Sequence, residues 1–158
     1  MSYLALLQNA DLFNEIAENF ERVAPTLLKI GDEDQAPTIA EAVFKHYTRN
    51  IPQDTDPSEK FVQMLSDGGF KVPQDELALL HSNQQKVYVY ELQHKGQYST
   101  TDLYNNTLGK EWVSHADDLQ YLYGNNPYFP PLERAEDLQV QDTMLTLWTN
   151  FATTGYGN

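Results

Sequence analysis

Cysteine is absent from all 158 residues. That excludes a disulfide framework, a zinc–thiolate centre and a cysteine nucleophile, although it leaves the redox compartment open. Basic residues are scarce, with 10 Lys and Arg against 23 Asp and Glu, a formal charge of −13 and a sequence pI of about 4.4. A chain so acidic is a poor partner for nucleic acid or an anionic membrane surface. Long apolar runs are missing as well, and nothing approaches the roughly eighteen residues that span a bilayer. The opening Met1-Ser2-Tyr3-Leu4-Ala5-Leu6-Leu7 has no basic n-region, is short for a signal h-region and shows no cleavage pattern, so no signal peptide is read here. Secreted and cytoplasmic locations both stay open. There is no Walker A or G-x-G-x-x-G pattern, and His46, His81, His94 and His115 are too scattered for H-E-x-x-H or any i,i+4 pair. Neither a nucleotide cofactor nor a metal is therefore expected.

What remains is a chain long enough for one domain with a core of useful size. Apolar residues at helical spacing run through residues 3–7 and 10–20 (Leu12, Phe13, Ile16, Ala17, Phe20), with Asn9 or Asp11 as cap. Pro25 is expected to bend or end that run. Gly31-Asp32-Glu33-Asp34-Gln35 reads as a solvated acidic turn. Pro37 opens a helix through Arg49 with Ile39, Val43, Phe44 and Tyr47 on one face and His46 on the surface. Residues 50–57 form a Pro-rich loop. Phe61, Met64 and Leu65 begin a helix expected to break at Asp67-Gly68-Gly69. Residues 73–82 then read as a helix carrying Leu77, Leu79 and Leu80, with His81 near its end. One stretch alone reads as a strong strand: residues 86–93, KVYVYELQ, whose β-branched and aromatic residues suit a sheet buried on both faces. Such a strand needs neighbours, and no second stretch of comparable strength supplies them. Residues 97–108 are polar and loop-like, and Tyr128-Phe129-Pro130-Pro131 is rigid and extended. A final helix from about Glu136 to Thr154 carries Leu138, Met144, Leu145, Leu147, Trp148 and Phe151 as a core stripe.

The most informative stretch is residues 109–124, GKEWVSHADDLQYLYG. Here His115 stands on a loop feeding a short apolar helix that Ser114 or Asp117 could cap and Gly124 could close. A loop held just outside a rigid element is a common place for a catalytic residue, although a lone histidine is more often a surface one. VSHADDLQYLYG resembles the histidine loop of the type-B carboxylesterases, the family of cholinesterases, insect carboxylesterases and juvenile hormone esterases. Leu147-Trp148-Thr149-Asn150-Phe151-Ala152-Thr153-Thr154-Gly155 is similar to that family's late helix. Pro130-Pro131 and Glu136-Asp137 match in part between the two, and Ser66-Asp67-Gly68-Gly69-Phe70 with Pro73 resembles a further family stretch.

The resemblance implies an α/β-hydrolase fold, of which residues 1–158 are the C-terminal portion, mostly helical with the one strand at 86–93. It implies a serine esterase that acts on a small-molecule carboxylic ester through an acyl-enzyme, without a cofactor, and it makes His115 the triad histidine. The six serines, Ser2, Ser58, Ser66, Ser82, Ser99 and Ser114, lie in no G-x-S-x-G elbow. In the family's order, nucleophile, oxyanion loop and acid all belong upstream, so this chain alone is expected to be inactive. Where the family often has glycine shortly before the histidine, this chain has Glu111-Trp112. Asp117 and Asp118 are read as structural, and Asn105-Asn106-Thr107 is a glycosylation sequon that matters only in a secreted protein. Two other classes stay open: a neuroligin-like adhesion protein of the same fold, and a small helical interaction protein.

Overall fold

The computed structural model describes residues 11, 15–16, 18–28, 30–31, 34–49, 57–104, 109–124 and 127–156. Residues 3–7 with the cap Asn9, the apolar Leu12, Phe13 and Ala17, the loop at 50–56 and the sequon at 105–107 lie outside them. The chain divides into two compact units, Met1–Val87 and Tyr88–Asn158.

In the first unit, α1 (Phe20–Leu27), α2 (Ala36–Thr48) and α3 (Pro57–Ser66) surround a small core, and α4 (Val72–Ser82) continues from α3. Phe20 anchors that core, its ring centroid 4.5 Å from that of Phe44 and 6.2 Å, edge-on, from that of Phe61. Met64 and Leu65 are buried beside it, and Val43, Tyr47, Leu27 and Leu28 pack around them. Burying a side chain of this size is worth roughly 1.5–3 kcal/mol. Ala24 and Ala40 are fully buried, and such small residues let neighbouring helices approach closely. The buried stripe of α2 runs through Ala36, Ala40, Val43, Phe44 and Tyr47, which displaces Ile39, expected on that face, into solvent. Pro25 lies inside α1, which runs on only to Leu27.

The break expected at Asp67-Gly68-Gly69 is instead a π-helical turn, Asp67–Lys71, joining α3 to α4. Two residues without Cβ let the chain take up an extra residue per turn while keeping its ladder: the Val72 N–H still reaches the Asp67 carbonyl. The Tyr47 hydroxyl fixes this turn by donating to Asp67 Oδ2 at 2.7 Å. The leucines of α4 do not pack as a core: Leu77, Leu79 and Leu80 are all exposed.

In the second unit, a 3₁₀ turn (Thr100–Tyr104), the one-turn α5 (Leu119–Leu122) and the long α6 (Ala135–Thr154) are linked by irregular chain. Helix α6 ends at Gly155, whose φ of +75° is a left-handed cap and whose N–H bonds the Phe151 carbonyl at 2.8 Å. The strand expected at 86–93 does not form, and no strand occurs among the described residues. A strand exists only as part of a ladder, and no backbone among the described residues pairs with this one. Val87, Tyr88, Val89 and Tyr90 are accordingly exposed rather than buried on both faces. What holds the stretch is side-chain contact with α6: Tyr88 lies edge-on to Phe151, and the Trp148 indole N–H donates to the Tyr90 hydroxyl at 3.1 Å. The expected core stripe of α6 is likewise open. Met144 is buried, but Leu138, Leu145, Trp148 and Phe151 are exposed.

Candidate active site

His115 stands exposed on a turn between the irregular stretch at 109–114 and α5. The next residue, Ala116, has φ +71°, the one non-glycine described residue in the left-handed region. For a residue with a Cβ that conformation costs roughly 1 kcal/mol, so something must hold it.

That something is Asp117. Its carboxylate is 3% exposed and accepts three hydrogen bonds, with a further hydroxyl in reach. Oδ1 takes the Thr100 N–H at 2.7 Å, and Oδ2 takes the Ser99 hydroxyl and the Ser114 N–H, both at 2.8 Å. The single proton of the Thr100 hydroxyl goes to the His115 carbonyl at 2.9 Å, with Asp117 Oδ1 3.0 Å away as its other acceptor. The turn closes on itself through Asp117 N–H to Ser114 O at 3.1 Å. The donor side of this clasp is a capping box. Ser99 Oγ accepts from the Thr101 N–H, and Asp102 Oδ2 accepts from the Ser99 N–H at 2.8 Å, which starts the 3₁₀ turn and fixes Ser99 and Thr100. Neither Ser114 nor Asp117 caps α5, whose N-cap position is Asp118 and carries no side-chain cap bond.

Beneath the histidine turn, α5 packs on α6. Tyr121 is fully buried, 6.2 Å edge-on from the His94 ring. Gly96 lies directly below it, and a Cβ there would come within 2.3 Å of the Tyr121 hydroxyl, so only glycine fits. Gln120 donates to the carbonyls of Tyr98 and Asp117, tying α5 to both sides of the clasp. The second buried acid is Asp137 in the first turn of α6. Its Oδ1 accepts from His94 Nε2 at 2.6 Å, and its Oδ2 accepts from the Gln97 N–H at 3.1 Å with Arg134 Nε 3.4 Å away.

Burial, reinforced by the negative charges of Asp137 and Asp117 and opposed by Arg134, pushes the Tyr121 hydroxyl up to about 12. Tyr47 is raised to about 12 by burial and by its bond to Asp67. Both tyrosines thus keep protons that the unfolded chain releases near 10. Their contribution is fully present below pH 10 and is lost as pH rises through 12. Thermal unfolding midpoints are expected to fall over that interval, and Tyr121→Phe is expected to flatten the fall. An unchanged slope in Tyr121→Phe would show that Tyr121 does not carry the effect.

A cleft of about 200 Å³ beside α5 is lined by Gln120, Tyr123, Phe129, Pro131, Leu138 and Gln141, without His115. Among the described residues no His, Asp and Glu cluster is placed to hold a metal ion, and no helix is long and apolar enough to cross a membrane. Ser99 and Thr100, beside the histidine turn, are committed to holding it, through Asp117 and the His115 carbonyl. These residues therefore present one imidazole with a firmly held backbone.

The chain belongs to the carboxylesterase family, whose model matches residues 2–158. It is 27% identical to the juvenile hormone esterase of Tribolium castaneum over 97% of its own length. It is 26% identical to a carboxylic ester hydrolase of Bombus ignitus over 96% of its length, and 36% identical to the bile salt-activated lipase of Mus musculus over 75%. The chain spans 28% of the length of the two insect proteins and 20% of the mouse lipase, in their C-terminal portion. No solved structure matches it. Membership implies the α/β-hydrolase fold for the domain as a whole.

The sequence points to His115 and to a structural Asp117, but not to Ser99 and Thr100 as the donors that Asp117 meets in place of a helix end. The signal was present in Ser99-Thr100-Thr101-Asp102, a capping-box pattern inside what reads as polar loop. Nothing in the spacing of His94 and Asp137, forty-three residues apart, announces that pair.

Proposed function

We propose that this chain supplies the general base, His115, to a serine-dependent hydrolase of carboxylic esters, and that residues 1–158 form the C-terminal portion of its catalytic domain. The observation that carries the reading is the family match over residues 2–158 together with His115 standing on an exposed, firmly held turn. Serine nucleophile, orienting acid and oxyanion amides come from the remainder of the domain. The serine hydroxyl attacks the ester carbonyl carbon while His115 takes its proton. The imidazolium then gives that proton to the departing alkoxide, leaving an acyl-enzyme and a free alcohol. Water enters, His115 takes a proton from it, and the acid is released as the proton returns to serine. The chain by itself lacks a nucleophile in an activating elbow and is inactive on this reading.

The test is the coding sequence upstream of Met1 and the activity of its full-length product. A G-x-S-x-G segment in frame, hydrolysis of a p-nitrophenyl ester and stoichiometric labelling by an organophosphonate are the expected results. A full-length product with another residue in place of that serine would make the protein a binding module, and transcripts that begin at Met1 would remove the enzyme reading of this chain.

A further inference from the structure

The family assignment concerns the histidine; the clasp beneath it is a property of this chain's own residues. We propose that Asp117 is a positioning residue that sets the presentation of His115, acting through the backbone of the histidine turn and not as the acid of a triad. The proposal rests on the reading of His115 as general base.

Three observations carry it. First, Asp117 is committed to the chain around it: its buried carboxylate receives the Thr100 and Ser114 N–H groups and the Ser99 hydroxyl, and the Thr100 hydroxyl oxygen crowds the remaining side of Oδ1. Second, those donors bracket the histidine. Ser114 precedes it, and Thr100, whose N–H bonds Asp117 Oδ1, carries the hydroxyl that donates to the His115 carbonyl. The carboxylate therefore ties the residue before His115 and the carbonyl after its Cα to one fixed point, the capping box at Ser99. Third, the turn is strained at Ala116, with φ +71°, and charge-assisted hydrogen bonds are of the strength needed to hold it there. A catalytic imidazole must be held to within about half an ångström of its productive place. A clasp on both sides of its backbone does that through the chain.

The chemistry also says which variant is diagnostic. Each oxygen of Asp117 faces one backbone N–H, Thr100 at Oδ1 and Ser114 at Oδ2. An amide in place of the carboxylate sets its NH₂ against one of those two N–H groups in either orientation, so Asp117→Asn breaks the clasp on one side while conserving shape. In the full-length enzyme, Asp117→Asn is expected to lower kcat on a p-nitrophenyl ester at least tenfold with KM changed less than about twofold. The same substitution in a His115→Ala background is expected to add no further loss to the residual turnover, raised into measurable range by free imidazole, because a diffusing base needs no positioned backbone.

If Asp117→Asn lowers the rescued turnover of His115→Ala as much as it lowers wild-type turnover, the acid is merely structural and the proposal fails. It also fails if Asp117→Asn keeps kcat within twofold of wild type while His115→Ala is inactive. Should His115→Ala itself retain full activity, the reading of His115 is what falls, and that outcome is visible without any Asp117 variant. Ser99→Ala, which removes one donor and leaves both backbone N–H bonds in place, is expected to show a smaller kcat loss than Asp117→Asn. A larger one would place the control in Ser99 and overturn the assignment to Asp117.

Discussion

Alanine at position 115 is expected, on the general-base reading proposed above, to lower kcat/KM of the full-length protein by about six orders of magnitude, with the loss in kcat. A serine hydroxyl is a weak nucleophile at neutral pH, and the base that removes its proton in the transition state contributes nothing comparable to holding the ground-state ester. The oxyanion amides and substrate binding survive the substitution, so hydrolysis should fall far short of wild type yet stay above the uncatalysed rate. Stability should hardly move. The ring is exposed, and the hydrogen bonds that shape the turn come from the His115 carbonyl, Ser114 and Asp117, all of which alanine leaves in place. Steady-state kinetics paired with thermal unfolding separate the two quantities. A variant that keeps turnover within tenfold of wild type would remove His115 from the chemistry, and one that loses activity together with stability would remove the mechanistic meaning of the loss.

The largest loss of stability is expected at the other buried acid. Asp137→Ala should destabilise the chain by about 3 kcal/mol. Its carboxylate is fully buried and joins parts of the second unit far apart in sequence, with His94 and the Gln97 N–H on one side and the head of α6 on the other. Without it the Gln97 N–H loses its acceptor and His94 its partner. Asp137→Asn keeps the volume and one acceptor and should cost less than the alanine variant. Denaturant unfolding with equal m-values reads the difference directly. If alanine and asparagine cost the same small amount, the His94–Asp137 contact does not hold this unit together.

How far the sequence foretold this arrangement depended on the range of the contact. The helices at 36–48, 72–82 and 135–154 were legible because apolar spacing and a proline near the helix start are local signals, readable without knowing what the helix packs on. The turn at His115 was legible for the same reason, with a short apolar helix following it. Two kinds of feature were not. The π-helical turn at Asp67–Lys71 looked like a break because paired glycines usually interrupt a helix, and only the Val72-to-Asp67 bond shows that the ladder survives them. The stretch at 86–93 has the composition of a strand, but composition records what the residues would do beside a partner backbone, and none of the described chain offers one. The clasp at Asp117 fell between the two. Its donor side is a four-residue pattern that could have been read, while its acceptor side closes across a sequence separation of eighteen between Ser99 and Asp117.

The open face of α6 has one practical use. The chain contains two tryptophans. Trp112 lies against Gly109 in the approach to the histidine turn, and Trp148 sits half exposed on α6, bonded to the Tyr90 hydroxyl. Each is thus a native fluorophore on a different part of the second unit, one beside the histidine turn and one on the open face of α6. With either indole replaced by phenylalanine, the emission of the other becomes a single-site signal. A blue shift from Trp148 then reports the covering of that surface in real time, while a change from Trp112 reports the setting of the loop, so the order of the two events can be read optically without attaching a label.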